Sequence, residues 1–265
     1  MPKMDPKGSP LEHSSLIVDQ FTRQAEAFAA ARQLHNEAVL KIMIDAAKTQ
    51  PEDAVLDVAC GMGSVALSFA PFVARVEGLD ATDAMLTQAR AAAEKRGIKN
   101  VTWRSGSAYS LPYANSNFNI VVSRFAIHHL EEPQSAFDEM RRVAASSARI
   151  VVCDAIAPDN PGKARAFNEM ERRRNPSTVE YRTLGDLLNL YRAHGLKASI
   201  RARFQVPYLA RGLVARSYPS NDDREGLLDL IEQSVEGDQL GMQAERTPSG
   251  IQIAFQWAVF VATVL

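Results

Sequence analysis

The chain predicts an α/β fold, a mostly parallel sheet with helices on both faces, and three observations carry that reading. Short apolar runs alternate with helix-patterned stretches at the spacing of βαβ units. Two of these runs are closed by a carboxylate, Asp57 and Asp80, each followed by the start of a helical pattern. The first run also passes straight into a small-residue turn, Ala59-Cys60-Gly61-Met62-Gly63.

The elements follow in order. Ser14 to Lys48 lacks Pro and Gly, is rich in Ala, Leu, Gln and Glu, and reads as one or two helices. Ala54–Val58 is a strand, and Ser64–Ala70 a helix. Arg75–Leu79 leads through Asp80 to a helix from Thr82 to Arg96, with Thr82 as its N-cap and Asp83 near the positive end of its dipole. Asn100–Arg104 and Phe118–Ser123 are the third and fourth strands; a helix follows over Pro133–Val143, and Arg149–Asp154 is the fifth strand. Beyond a Pro-rich break at Pro158–Gly162 come helices near Lys163–Arg174 and Leu184–Ala193, the second opened by a Thr183/Asp186 capping box. Strands over Lys197–Val206 and Ile251–Val261 close the pattern. The intervening segment, helical near Arg224–Val235, is too long for an ordinary connection and is expected to form a lid.

At 265 residues the chain suits one α/β domain with a cap. Residues 1–50 are assigned to an N-terminal helical cap and 51–265 to the α/β domain, with cap insertions near 158–182 and 207–250. Thirty basic against thirty-one acidic residues give a net charge of -1, which argues against nucleic acid and anionic lipid as partners and favours a small molecule. Cys60 and Cys153 are too few for a disulfide framework and lack metal-ligand spacing, so the expectation is a reducing compartment, the cytoplasm, and no metal. The apolar run Trp257–Leu265 is far shorter than the ~20 residues of a membrane-spanning helix and reads as a buried strand. Oligomeric state is left open.

The chemistry concentrates at the strand ends. A strand that enters a small-residue turn lets a ligand approach the backbone, which Gly61 and Gly63 permit. A dinucleotide fingerprint would place a third glycine after Gly63, where the chain has Ser64-Val65, so diphosphate recognition is disfavoured. Asp80, 23 positions after Asp57, is placed to accept hydrogen bonds from both hydroxyls of a ribose. Arg172-Arg173-Arg174 reads as a solvated helix face, with anion binding as the lesser alternative, and Cys153 as buried strand filler.

Taken together, Asp57-Val58-Ala59-Cys60-Gly61-Met62-Gly63, Leu79-Asp80-Ala81-Thr82-Asp83-Ala84-Met85, Gly106-Ser107-Ala108 with Leu111-Pro112-Tyr113, and Ser123-Arg124-Phe125-Ala126-Ile127-His128-His129-Leu130 resemble, in that order, the motifs of class I methyltransferases. The group they resemble is the type 11 group that includes the ubiquinone and menaquinone C-methyltransferases. The resemblance implies a Rossmann-like, seven-stranded, mostly parallel sheet with a helical lid. It implies S-adenosylmethionine as cofactor, S-adenosylhomocysteine as product, and a small-molecule acceptor methylated at carbon, nitrogen or oxygen, aromatic or quinone-like metabolites among them. It assigns cofactor contacts to Phe28, Asp57, Ala59, Gly61, Gly63, Asp80, Ala81, Met85, Ser107, Ala108 and Ser123, with Met85 against adenine. Three departures stand out: Ala59 replaces the first glycine of the turn, Ser107 replaces the aspartate expected at adenine, and Ala145-Ser146-Ser147-Ala148 replaces the usual Pro-Gly-Gly turn before the fifth strand.

In the quinone enzymes an arginine at the position of His128 is associated with proton removal, which makes His128 the candidate base here. Adjacent side chains are expected not to point inward together, so His129 is expected to turn away. The competing functions are an NAD-dependent oxidoreductase, disfavoured by the missing glycine, and a non-catalytic protein that binds S-adenosylmethionine.

Overall fold

The computed structural model describes residues 13–30 and 37–265, with the side chains of 26–30 and of Ser220 outside the described set. Its strands are β1 (Ala54–Val58), β2 (Arg75–Asp80), β3 (Val101–Ser105), β4 (Phe118–Arg124), β5 (Ala144–Ile156), β6 (Ser199–Leu209), β7 (Glu245–Thr247) and β8 (Gly250–Thr263). The helices are α1 (His13–Ala30), α2 (Glu37–Ala47), α3 (Ser64–Phe69), α4 (Asp83–Lys95), α5 (Pro133–Val143), α6 (Pro161–Arg174), α7 (Leu184–Ala193), α8 (Ala210–Ala215) and α9 (Arg224–Gln233).

The sheet runs β3-β2-β1-β4-β5-β8-β6, with β7 paired to β8 as an eighth, short strand. Strands β1 to β5 are parallel, and β8 runs antiparallel to both β5 and β6. The seven expected strands are all present; β7 and α8 were not foreseen, because three and six residues are too few to show a period.

The central strands are apolar throughout because both faces of the sheet are covered. Alternate residues go to opposite layers: Val55, Ile120, Val122 and Val151 pack with α2, α3, α6, α8 and α9, whereas Leu56, Val121, Ile150 and Val152 pack with α5 and α7. Local signals place the ends. Thr183 and Asp186 form the expected capping box of α7, and Asn160 caps α6 by accepting from the amides of Gly162 and Lys163.

Two expectations are corrected. Ala145–Ala148 is not a turn before the fifth strand. Pairing with β4 starts at Ala144 and resumes at Arg149, so the four residues bulge within β5, with Ser147 at φ 64°. Thr82 precedes α4 as expected, yet its side chain makes no cap; the Asp80 carboxylate accepts from the Thr82 amide at 2.8 Å instead.

Candidate functional site

At the carboxyl ends of the strands, where the chain leaves the sheet in loops, a cavity of about 860 Å³ opens. Its volume is that of a site for a sizeable small molecule. Residues of α1 wall it from one side, including His13, Ile17 and Phe21, and Arg174, Tyr181, Tyr208 and Leu213 from the chain after β5 wall it from another. Among the described residues no cluster of His, Cys, Asp or Glu is placed to hold a metal ion, and no helix is long and apolar enough to cross a membrane.

The turn after β1 is shaped by backbone conformation. Ala59, Gly61 and Gly63 all have positive φ, at 56°, 52° and 79°. Gly61 donates its amide to Asp80 Oδ2 at 2.7 Å, and a Cβ on Gly61 would meet nothing within 4 Å. That open space is cavity. Gly63 differs: it is not on the cavity wall, and a Cβ there would lie 2.3 Å from the Trp103 ring. Its glycine answers to Trp103 packing as well as to φ.

Asp57 and Asp80 both line the cavity from neighbouring strands. Asp57 is 1 % exposed; its Oδ2 accepts from the Ala66 amide at 3.0 Å, while its Oδ1 has no hydrogen-bond partner among the described residues. The Ser64 hydroxyl, also on the wall, is likewise buried without a partner. Buried polar atoms left unsatisfied beside a cavity are what a polar ligand would complete. Burial pushes the Asp57 carboxyl up to about 7, against the pull of the Ala66 amide and the Arg124 guanidinium, with the Asp80 charge adding to the rise. Burial also raises Asp80, opposed by the amides of Gly61 and Thr82 that it accepts from.

Ala81, Met85, Ser107 and Ala108 are on the same wall. Ser107 Oγ accepts from the Tyr109 amide at 3.2 Å and so serves its own turn as well. The Ser123 hydroxyl donates to Val58 O at 2.9 Å, tying β4 to β1, and the residue is absent from the wall. Its neighbours Arg124, Phe125 and Ala126 are there instead. Phe28 is on α1, but its side chain lies outside the described residues; Phe21, one heptad earlier, lines the cavity.

After β4, a 3₁₀ turn at Ile127–His129 puts both histidines on the wall, each 6 % exposed, with ring centroids 4.1 Å apart. The expectation that His129 turns away is therefore corrected. Their partners differ. Asp154 Oδ1 lies 2.6 Å from His128 Nδ1, and the other Asp154 oxygen accepts from the His128 amide at 3.3 Å. A carboxylate beside Nδ1 assigns the ring proton to that nitrogen and leaves the lone pair on Nε2. Tyr181 stacks on His128 with centroids 4.2 Å apart and planes 12° apart. His129 Nδ1 instead faces the Ser177 carbonyl at 2.9 Å; burial, with His128 beside it, holds His129 well below the usual histidine range.

The sequence reading passed over Asp154, although the rule that picked out Asp57 and Asp80, a carboxylate closing an apolar strand, applies equally to it. Arg174 was misread. Rather than lying on a solvated face, its guanidinium is partly buried, pairs with the fully buried Glu171 at 2.7 and 2.6 Å, donates to Ser217 Oγ, and reaches the cavity wall. Arg173 does pair at the surface, with Asp223. Cys60 and Cys153 are buried free thiols, and Cys153 is the strand filler expected.

A profile described as a methyltransferase domain matches residues 55–147, the span from the Asp57 turn to the start of β5. The uncharacterised methyltransferase YcgJ of Bacillus subtilis is 31% identical over 187 residues, covering 71% of this chain and 74% of its own. The crystal structure of YcgJ superposes with a TM-score of 0.79 at 26% identity, over 86% of this chain and 99% of that one. The ubiquinone/menaquinone biosynthesis C-methyltransferase UbiE of Dinoroseobacter shibae is 26% identical over 164 residues, 59% of this chain and 66% of its own. A geranyl diphosphate C-methyltransferase from Streptomyces coelicolor, crystallised with S-adenosylhomocysteine, shares the fold at a TM-score of 0.61 and 16% identity, over 86% of this chain and 77% of that one. With these likenesses added to its sheet order and its strand-end motifs, the chain belongs to the class I S-adenosylmethionine-dependent methyltransferases.

Proposed function

We propose that the protein methylates a small-molecule acceptor that must lose a proton, such as a phenol, an enol carbon or a ring nitrogen, with His128 as the base. The observation that carries this is the 2.6 Å contact between His128 Nδ1 and buried Asp154, on the wall of the cavity that Asp57 and Asp80 also line. S-adenosylmethionine supplies an electrophilic methyl group on a sulfonium centre. Asp80 would take the ribose hydroxyls, Met85, Ala81 and Ala108 the adenine, and the unsatisfied Asp57 and Ser64 oxygens the polar end of the cofactor. Ala59 and Gly61 complete that half of the site through their backbone.

In this reading His128 Nε2 accepts the acceptor's O–H, N–H or C–H proton, and the resulting imidazolium keeps its Nδ1–H on Asp154. Asp154 is thus a positioning residue that fixes the tautomer and steadies the cation. His129, desolvated against a carbonyl, stays neutral and serves as wall. Helix α1 and the segments near 158–182 and 207–250 act as the cap that excludes water while the acceptor is aligned. The same walls suit a soluble metabolite, with no role for nucleic acid.

The test is kinetic. In a screen of phenolic, enolic and heteroaromatic acceptors, His128→Ala and His128→Gln should both lower turnover by about a hundredfold or more. Affinity for S-adenosylhomocysteine should change little in either variant. A Gln variant as active as wild type would leave His128 as a positioning group only, and a larger loss from His129→Ala than from His128→Ala would sink the assignment.

A further inference from the structure

Charge is distributed unevenly around the cavity. Of the carboxylates on its wall, Asp80 closes β2 and Asp57 is next to last in β1, while Arg124 closes the next strand, β4. Further along the sheet β8 contributes Phe255 and Trp257, and β6, the outermost strand, contributes Tyr208. Adjacent strands are about 4.8 Å apart, so five steps separate Asp80 from Tyr208 by over ~20 Å. That is more than one ligand group can span.

Arg124, Arg174 and Arg216 line the cavity with Tyr208, and these three arginines act on its phenol against the carboxylate of Glu171. Glu171 is committed to Arg174, which it holds in two short contacts. Arg216 stands at the end of α8, lines the cavity, and has no carboxylate within ion-pair distance among the described residues. Arg174 is thereby offset by Glu171, and Arg216 is a cation left without an ion-pair partner among the described residues. Tyr208 does not supply the missing charge, since burial pushes its phenol up to about 12. The third carboxylate on the wall, Glu131, is tied by its amide to the Tyr109 hydroxyl in the loop after β3, on the Asp80 side.

Between the two ends the wall is apolar and aromatic. Phe125 and Trp257 meet edge to face at 4.5 Å, Tyr208 and Phe255 at 5.4 Å, and Leu213 joins them on the wall. A cationic end beyond an aromatic slot, with the His128 ring at the strand-end turn before it, selects both the body and the terminus of what binds there.

We infer that the acceptor is an amphipathic acid, with an apolar, flat or unsaturated body seated against Phe125, Trp257 and Phe255, and a carboxylate or phosphate end held by Arg216 and Arg174 beside Tyr208. This rests on the acceptor-methylating reading above and narrows it: the shared chemistry is an oxyanion on an apolar body. The half of the cavity at β1 and β2 holds acids and suits the cationic cofactor; the half at β6 holds arginines and suits the anionic acceptor.

The experiment is calorimetric titration of the full chain saturated with S-adenosylhomocysteine, using three probes that share one body: 2-naphthoate, 2-naphthamide and 2-naphthyl phosphate. At least one anionic probe should bind about tenfold or more tightly than the neutral amide, the size of one charge-assisted contact. The carboxylate and phosphate arms tell which oxyanion is preferred. Arg216→Met should erase the preference and Arg216→Lys should retain part of it, with affinity for S-adenosylhomocysteine intact in both as the check on folding. Equal binding of amide and acid, a preference that survives Arg216→Met, or no saturable binding of either anion would each overturn the inference. Failure of the wild-type chain to bind S-adenosylhomocysteine would instead count against the cofactor assignments of the proposed function.

Discussion

Replacing Asp57 by Asn should make the protein more stable at alkaline pH while weakening the site. Burial raises the Asp57 carboxyl from its ordinary 3.8 to about 7, so the folded chain keeps a proton that the unfolded chain has released across that interval. Stability then falls as pH climbs through the interval and levels off above about 7, because in it the native state binds the greater number of protons. From pH 5 to pH 8 the loss is about 3 kcal/mol, at about 1.4 kcal/mol for each pH unit below the folded value. Asn matches the neutral acid in shape, retains an acceptor for the Ala66 amide, and does not titrate. The two proteins should therefore be within about 1 kcal/mol of each other at pH 5, and the variant should be ahead by about 3 kcal/mol at pH 8. Titrations of groups not coupled to Asp57 are common to both and cancel. Denaturant unfolding of the ligand-free proteins at the two pH values measures the difference. Affinity should move the other way: the ionised carboxylate attracts the ammonium of the ligand's amino-acid end, so wild-type binding of S-adenosylhomocysteine should strengthen from pH 5 to 8 and the variant's should stay flat. A stability difference that is the same at both pH values would refute the reasoning, since it would mean that the buried carboxyl does not hold its proton.

Three further outcomes follow from the strand-end turns. Asp80→Ala should abolish most binding of S-adenosylhomocysteine and also cost about 2 kcal/mol of stability, because its two oxygens accept from the Gly61 and Thr82 amides; calorimetry and unfolding together read both losses. Ala59→Gly should raise stability by up to about 1 kcal/mol, since Ala59 sits at φ 56°, where an L side chain is strained, and it should leave affinity nearly unchanged. Gly63→Ala should cost more than about 2 kcal/mol in an unfolding titration, because its Cβ would collide with Trp103 in a backbone conformation that already disfavours it. An unaffected Tm for Gly63→Ala would show that the Trp103 contact is not rigid.

The parallel core was legible because β1 and β2 are short runs, largely apolar, each followed by a helix start, and β4 and β5 repeat the apolar run. Ala54–Val58, Pro133–Val143 and Leu184–Ala193 come out with the ends read from the residues alone. What was not legible depends on distant partners. Ser123 belongs to a motif segment, yet its hydroxyl is taken by Val58 on the neighbouring strand, a pairing that only the sheet order creates. Arg174 looks like one of three solvated arginines until Glu171, one helical turn earlier and fully buried, draws it inward. Asp154 was within reach, since the fifth strand was read as ending on it, but it falls outside the four motif segments.

The two histidines show how a sound local rule fails when the element is misjudged. Opposed side chains are a property of strands, where successive residues differ by half a turn. Here the strand is broken just before them. Phe125 takes a left-handed conformation at φ 56°, held by its amide on Cys153 O at 2.9 Å and by its ring against Trp257. The chain then leaves the sheet in a 3₁₀ turn, in which neighbours differ by only about a third of a turn. A concave wall can therefore receive both rings. Direction does not distinguish them, so the choice falls to their partners. His128 has a carboxylate at its Nδ1; His129 has a carbonyl there, and burial, with the His128 ring at 4.1 Å, holds it well below the usual histidine range. The strain at Phe125 thus serves the site twice, by bringing both imidazoles to the cavity and by laying an aromatic edge beside Trp257 where the acceptor's body is proposed to sit.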